Sequence, residues 1–205
     1  MSTSNTLIKA LALTAAVGFA AGCTPQTQLL TPGTPNAPVT MGLSGSDFAQ
    51  AASDAVQSML TSGAVDRNDG KKNIMVVSTV LNDTMQRIDT DQLVKKIRVD
   101  LLRSGKVLTT TAIGLNGAED KMTQAYAELS QSRKIDHTTR VRQRLAAPNM
   151  SLSGKIIQRN NRVDGNKQLV EYYFQLTLTD LSNGLAIWEG ETPIQKLGSA
   201  KGTSW

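Results

Sequence analysis

The chain has 205 residues, of which 19% are charged, with a formal net charge of +5. That length suits one domain and hardly two once a leader and a tether are set aside. One Cys and one His exclude an internal disulfide, a His/Cys metal cluster and a Ser-His-Asp or Cys-His nucleophile. No P-loop and no Gly-rich dinucleotide fingerprint is present, so no cofactor is expected.

At the start, the cation Lys9 precedes an apolar run from Ala10 to Ala21, broken only by Thr14 and Gly18, and Ala20-Ala21-Gly22 leads into Cys23. A basic start, a short apolar segment and small residues before a cut describe a secretory signal. The run is shorter than the roughly 20 apolar residues that span a bilayer. Ending on Cys, it looks like a bacterial lipoprotein signal over residues 1–22, with Cys23 lipidated as the mature N-terminus. Each buried CH₂ is worth roughly 0.8 kcal/mol, so a diacylglyceryl group plus an amide-linked chain anchors nearly permanently. The alternative is an ordinary cleaved signal with an incidental Cys. Against it, a lone free thiol suits an oxidising compartment poorly; for it, Ala20 stands at −3, where Leu is commoner. Export also removes nucleic acid as the partner of the basic charge.

Residues 23–45 read as the lipidated Cys and a tether, with Pro25, Pro32, Pro35 and Pro38 among Thr, Gln, Gly and Asn. Extended at about 3.1 Å per residue, the segment reaches roughly 60–70 Å. The globular domain is placed at 46–205. Its first helix carries Phe48, Ala51, Ala52, Ala55, Val56, Met59 and Leu60 on one 3.6-residue stripe, with Ser46 or Asp47 as N-cap and Gly63 as the stop. Asn73–Leu81 is apolar on both faces, the pattern of a central strand covered on both sides. A helix from Asp89 or Thr90 to Ser104 follows, burying Leu93, Val94, Ile97, Leu101 and Leu102, and then a strand over Lys106–Ala112. This order reads as a parallel βαβ unit.

Residues 118–146 are helical in composition but poorly patterned, with Met122, Tyr126 and Leu129 as a weak stripe; Pro148 closes them. From Arg133 to Arg162 there are eight cations against one anion, Asp136. Such a concentration favours an acidic partner surface, or is simply a solvated face. Met150–Arg159 is a strand, Asp164-Gly165 signals a hairpin, and Val170, Tyr172, Phe174, Leu176 and Leu178 alternate with polar neighbours on the next strand. Ser182-Asn183-Gly184 turns into Leu185–Glu191. The fold class is therefore α/β: a mixed sheet of four to five strands, a βαβ unit plus C-terminal antiparallel strands, flanked by helices.

Candidate chemistry is thin. His137 lies in the poorly patterned basic segment and reads as a surface residue. The pair Asp89/Asp91 sits where helix caps belong, and Glu189/Glu191 read as strand surface, although a carboxylate-pair hydrolase would suit an envelope protein. Trp188 reads as core, and Trp205 as packing on the body or a neighbour. The segment 82–93 leaves a buried strand presenting Asn82, Thr84, Gln86, Arg87 and Asp89. Partner residues gather on loops beyond the carboxyl ends of parallel strands, although capping alone accounts for Asn82 and Asp89.

The blocks NDTMQRIDTDQL (82–93), SGKV (104–107), SLSGKIIQR (151–159), EYYFQLTLTDL (171–181) and GLAIWEGE (184–191), in this order, resemble the LpoB family of outer-membrane lipoproteins that activate a bifunctional, class A penicillin-binding protein. The resemblance implies a domain similar to the N-terminal domain of TolB, tethered to the outer membrane on its periplasmic side. It docks, as a monomer, on a non-catalytic domain of the synthase and stimulates peptidoglycan synthesis without being an enzyme. Thr24, rather than Asp, after Cys23 fits sorting to the outer membrane. Enterobacterial members carry a much longer Pro-rich tether than this chain. Contact residues are expected at Asn82, Thr84, Gln86 and Arg87, and in the basic stretch at Arg140, Arg142 and Arg144. Two other classes stay open, a structural lipoprotein subunit of an envelope secretion or surface-organelle assembly and a peptidoglycan-acting hydrolase.

Overall fold

A computed structural model describes residues 31, 39–114, 119–136, 138–139 and 144–202. The fold is that of the unit Pro38–Trp205, which is distinct from Met1–Ala37. The expected signal, Cys23 and most of the tether lie outside the described residues, as do His137, Arg140, Arg142 and Trp205. The elements in order are α1 (Gly45–Thr61), β1 (Asn73–Asp83), α2 (Thr90–Arg103), β2 (Val107–Thr109), α3 (Lys121–Ser130), β3 (Met150–Asp164), β4 (Lys167–Asp180) and β5 (Leu185–Ser199).

Both predicted helix stripes form. On α1, Ala51, Ala52, Ala55, Val56, Met59 and Leu60 are buried, and Gly63 follows the C-cap with φ +80°. The N-cap is neither Ser46 nor Asp47 but Ser44, with Asp47 at the third helical position closing a capping box. On α2, Asp89 caps the first turn and Leu93, Val94, Ile97 and Leu101 are buried. Leu102 is 48% exposed, because a residue next to Leu101 is turned about 100° away from the stripe.

The five strands form one sheet in the order β2-β1-β3-β4-β5. β1 pairs parallel with β2 and with β3, while β4 is antiparallel to β3 and β5. This is the mixed α/β sheet the periodicities predict. On β4 the alternation holds through its whole length: Val170, Tyr172, Phe174, Leu176 and Leu178 are each no more than 2% exposed. Each such side chain contributes roughly 1.5–3 kcal/mol, and a one-residue slip would turn all five to water. That face meets α1 and α2, with Met59, Met75, Ile97, Leu101, Leu152 and Ile156 between the layers.

Among the described residues no helix covers the other face, which corrects the reading of β1 as a strand covered on both sides. Val76, Ser78 and Thr79 are only half-buried, and α3 buries none of its residues. Tyr173 lies on this open face with the Arg159 guanidinium 5.6 Å from its ring centre. Trp188 is on the helix side, partly buried against the core, its ring over Gly190.

The folded body takes in residues that the sequence reading gives to the tether. The Lys196 ammonium, on the edge strand β5, donates to the carbonyls of Thr40 (3.0 Å) and Gly42 (2.7 Å) and to Asp47 Oδ2 (2.5 Å). Tyr172 donates its hydroxyl to the Met41 carbonyl (3.3 Å), Met41 packs on Gly198, and Leu43 is 5% exposed. Residues Thr40–Ser44 thus form a clamp. Burial alone would raise the Asp47 carboxyl, but the Lys196 bond and the Ser44 backbone and hydroxyl bonds outweigh it and hold it below 3.8.

Two substitutions test this packing by urea unfolding. A Cβ at Gly154 would come within 2.7 Å of Leu176 Cδ2 and 2.9 Å of the Gln175 carbonyl oxygen, so Gly154→Ala should cost about 1–3 kcal/mol. Lys196→Met strands two carbonyls and a carboxylate and should cost about 2–3 kcal/mol near neutral pH. A carboxyl depressed in the fold stabilises above its unfolded value and loses that contribution as pH falls through its folded one. The Lys196→Met deficit should therefore persist above pH 3.8 and shrink as the pH drops further; a pH-independent deficit would contradict the pairing.

Candidate functional site

The segment after β1 is a tightly hydrogen-bonded turn. Asn82 Oδ1 accepts from the Thr84 backbone N–H (3.2 Å) and hydroxyl (2.7 Å), while Asn82 Nδ2 donates to the Gln86 carbonyl (2.8 Å). Gln158 of β3 accepts the Met85 N–H at 3.0 Å. Gln86 faces inward: its Oε1 accepts from Leu43 N (2.8 Å) and its Nε2 donates to the Leu43 carbonyl (2.9 Å). Of the four predicted contact residues here, Asn82, Thr84 and Gln86 therefore shape the loop. Arg87 is exposed, and beside it Met85, which the sequence reading did not single out, is 70% exposed.

The basic stretch reaches the described residues at Arg144, which is exposed. The chain then runs to Asn149, whose N–H donates to the Ile74 carbonyl (2.9 Å) and whose Oδ1 accepts the Ile74 N–H (2.8 Å). Asn149 Nδ2 donates to the buried Asn73 side chain (2.7 Å), which in turn donates to the Val65 carbonyl (2.8 Å). This network fixes the start of β3 beside the start of β1. Because β1 and β3 are parallel, Arg144 approaches the opposite end of the sheet from the 82–89 loop. Asn82 lies eight residues beyond Ile74 along β1, roughly 25 Å. Arg144 and the loop do not share one patch.

The described carboxylates do structural work. Asp89 accepts from the N–H groups of Asp91 and Gln92 as a cap. Glu191 accepts from Gln175 Nε2 (2.8 Å), and Glu189 from the Thr177 hydroxyl (3.4 Å), both on the open face. Where carboxyls move, they move down: Asp69 under the Arg67 side chain, Asp136 under the Thr138 hydroxyl, Asp180 under the Ser182 hydroxyl. None is raised toward the range of a general acid. Among the described residues no three His, Cys, Asp or Glu side chains gather as metal ligands, and no helix is long and apolar enough to cross a membrane.

Sequence reasoning missed the clamp. Its one local signal is Ser44 three residues before Asp47, a capping-box spacing that starts the helix earlier; the contacts with Gln86 and Lys196 leave no periodic trace. Gln86→Ala should cost about 1–2 kcal/mol and speed hydrogen exchange at the Leu43 amide, whereas Arg87→Ala should leave both unchanged. Equal effects of the two substitutions would contradict this division of roles.

A family model described as "Peptidoglycan-synthase activator LpoB" matches residues 47–194. Among solved structures, the chain is similar to the LpoB C-terminal domain from Salmonella enterica, with 16% identity over 73% of this chain and 99% of that one and a TM-score of 0.43. The LpoB C-terminal domain from Escherichia coli gives 15% identity, coverage of 71% and 98%, and a TM-score of 0.43. Lipoprotein GNA1162 from Neisseria meningitidis gives 13% identity, coverage of 64% and 87%, and a TM-score of 0.37. No curated protein matches. With most of its folded body inside the matched span, this chain belongs to the LpoB family of peptidoglycan-synthase activators.

Proposed function

We propose that the chain is an outer-membrane lipoprotein, lipidated at Cys23 and facing the periplasm, that binds a class A penicillin-binding protein and stimulates its peptidoglycan synthesis as a non-enzymatic, monomeric regulator. The observation that carries this reading is the family match over residues 47–194. The sequence adds an apolar leader ending at a lone Cys and a Pro-rich segment between that Cys and the folded body. Proposed contacts are Arg140, Arg142 and Arg144 in the basic stretch; of the loop residues, Asn82, Thr84 and Gln86 hold the loop in shape, and exposed Arg87 stands with them at the other end of the sheet from Arg144.

The mechanism is a shift of population. A partner that binds the active conformation of a synthase better than the resting one draws it toward activity, and by no more than that difference in affinity. Cations around the contact would act first on encounter, raising the association rate and making it salt-dependent.

Two measurements test the proposal. Mass spectrometry of the mature protein should find residue 23 carrying lipid; a free thiol there removes the anchor. Purified full-length chain should bind a class A penicillin-binding protein, and joint reversal of Arg140, Arg142 and Arg144 to Glu should slow association about tenfold at low salt. Unchanged association would remove the basic stretch from the contact.

A further inference from the structure

The clamp gives the domain a direction. Thr40–Ser44 are fastened beside the 82–89 loop and the C-terminal end of β5, and Val39, just before them, is 90% exposed. The segment between Cys23 and the body therefore joins one end of the sheet. On the reading under Proposed function, that segment leads to the outer membrane and spans roughly 50 Å when extended. The end of the sheet away from that attachment is the one where β1 and β3 start.

That end carries a groove of about 370 Å³ beside β2, floored by Ile74, Leu108, Leu145 and Ala146. Leu108 is 46% and Leu145 60% exposed. β2 is an edge strand of three residues, and among the described residues no strand pairs with its outer side, the side on which a further extended segment could add. The Thr109 hydroxyl, at the groove, has no hydrogen-bond partner among the described residues. Lys72 stands two residues before Ile74 and Arg144 next to Leu145; both are exposed, and neither ion-pairs among the described residues. Nearby, Lys106 pairs with Asp66 (2.8 Å) and Arg67 with Asp69, while of the two acids before α3 Asp120 caps the helix and Glu119 accepts from the Gln124 amide.

From these observations we infer that the groove beside β2 is the docking surface for the synthase, and that it receives an acidic segment carrying apolar side chains. A second copy of this chain fits worse. A two-fold contact sets a patch against itself, which would bring Lys72 and Arg144 against their own counterparts. An acidic segment instead neutralises both cations while its apolar side chains fill the floor. The inference deepens the proposed function and rests on it.

The test uses full-length chain and the full-length class A penicillin-binding protein that it stimulates, both in detergent. Leu108→Asp and Arg144→Glu probe the groove, and Met85→Asp and Arg87→Glu probe the clamp end. Urea midpoints check folding, and Arg144→Glu carries the test if Leu108→Asp unfolds. The groove variants should each weaken binding about tenfold, and Arg144→Glu should also flatten its salt dependence, while the clamp-end variants stay within about twofold. Loss confined to the clamp-end variants would overturn the inference, as would wild-type stimulation that survives every variant. Self-association that Leu108→Asp abolishes would put a second copy in the groove, and also overturns it. A wild-type chain that neither binds nor stimulates any class A enzyme fails the proposed function itself, a result distinct from the others.

Discussion

The Lys196 ammonium is 9% exposed as a residue, and a cation taken that far out of water persists only where fixed acceptors replace its hydration. Those acceptors come from the other end of the sequence, at separations of 149–156 residues. The contact joins the last strand, the cap of the first helix and the chain leading into it. Asp47 serves two purposes, closing the capping box and accepting the ammonium, so the start of α1 and its seating over β4 and β5 are one structural event. Tyr172 and Met41 seal the same corner. Without this corner, α1 would have its apolar stripe but no fixed origin.

The sheet over which α1 sits is used on one side. Its helix-facing side is continuous core, whereas its other side shows half-exposed Ser, Thr and Val on β1 and an ordered row of Gln175, Glu191, Thr177 and Glu189 on β4 and β5. In that row Glu191 accepts from Gln175 and Glu189 from Thr177, so both carboxylates are tied to neighbouring strands.

What could be read from the sequence is what repeats locally. The β4 face, the α1 stripe and most of the α2 stripe follow from periods of 2 and 3.6, and the Asp89 cap follows from its position before an apolar run. What could not be read depends on residues far apart. Val76 and the rest of β1 look the same in sequence whether a second layer covers them or not, because apolar composition records the capacity for burial and not the presence of a cover. Met41 and Leu43 sit among Pro, Gly and Thr, and their burial depends on Lys196 and Gln86. Arg144 and Arg87 belong to segments that look like equivalent surface loops, and only the parallel pairing of β1 with β3 sends them to opposite ends. The 118–146 region contains α3, whose Met122 and Leu129 stay exposed; the weak stripe there belongs to a helix that buries none of its residues fully.

Membership of the LpoB family supports one proposal above the others: this chain acts by changing what a synthase does. The most direct measurement is the rate of glycan-strand polymerisation from lipid-linked precursor by a purified class A penicillin-binding protein, with and without the full-length chain, alongside the chain alone. The account predicts a faster rate with both present and no turnover by the chain alone. An unchanged rate across saturating chain, or turnover of precursor or finished peptidoglycan by the chain unaided, would contradict it.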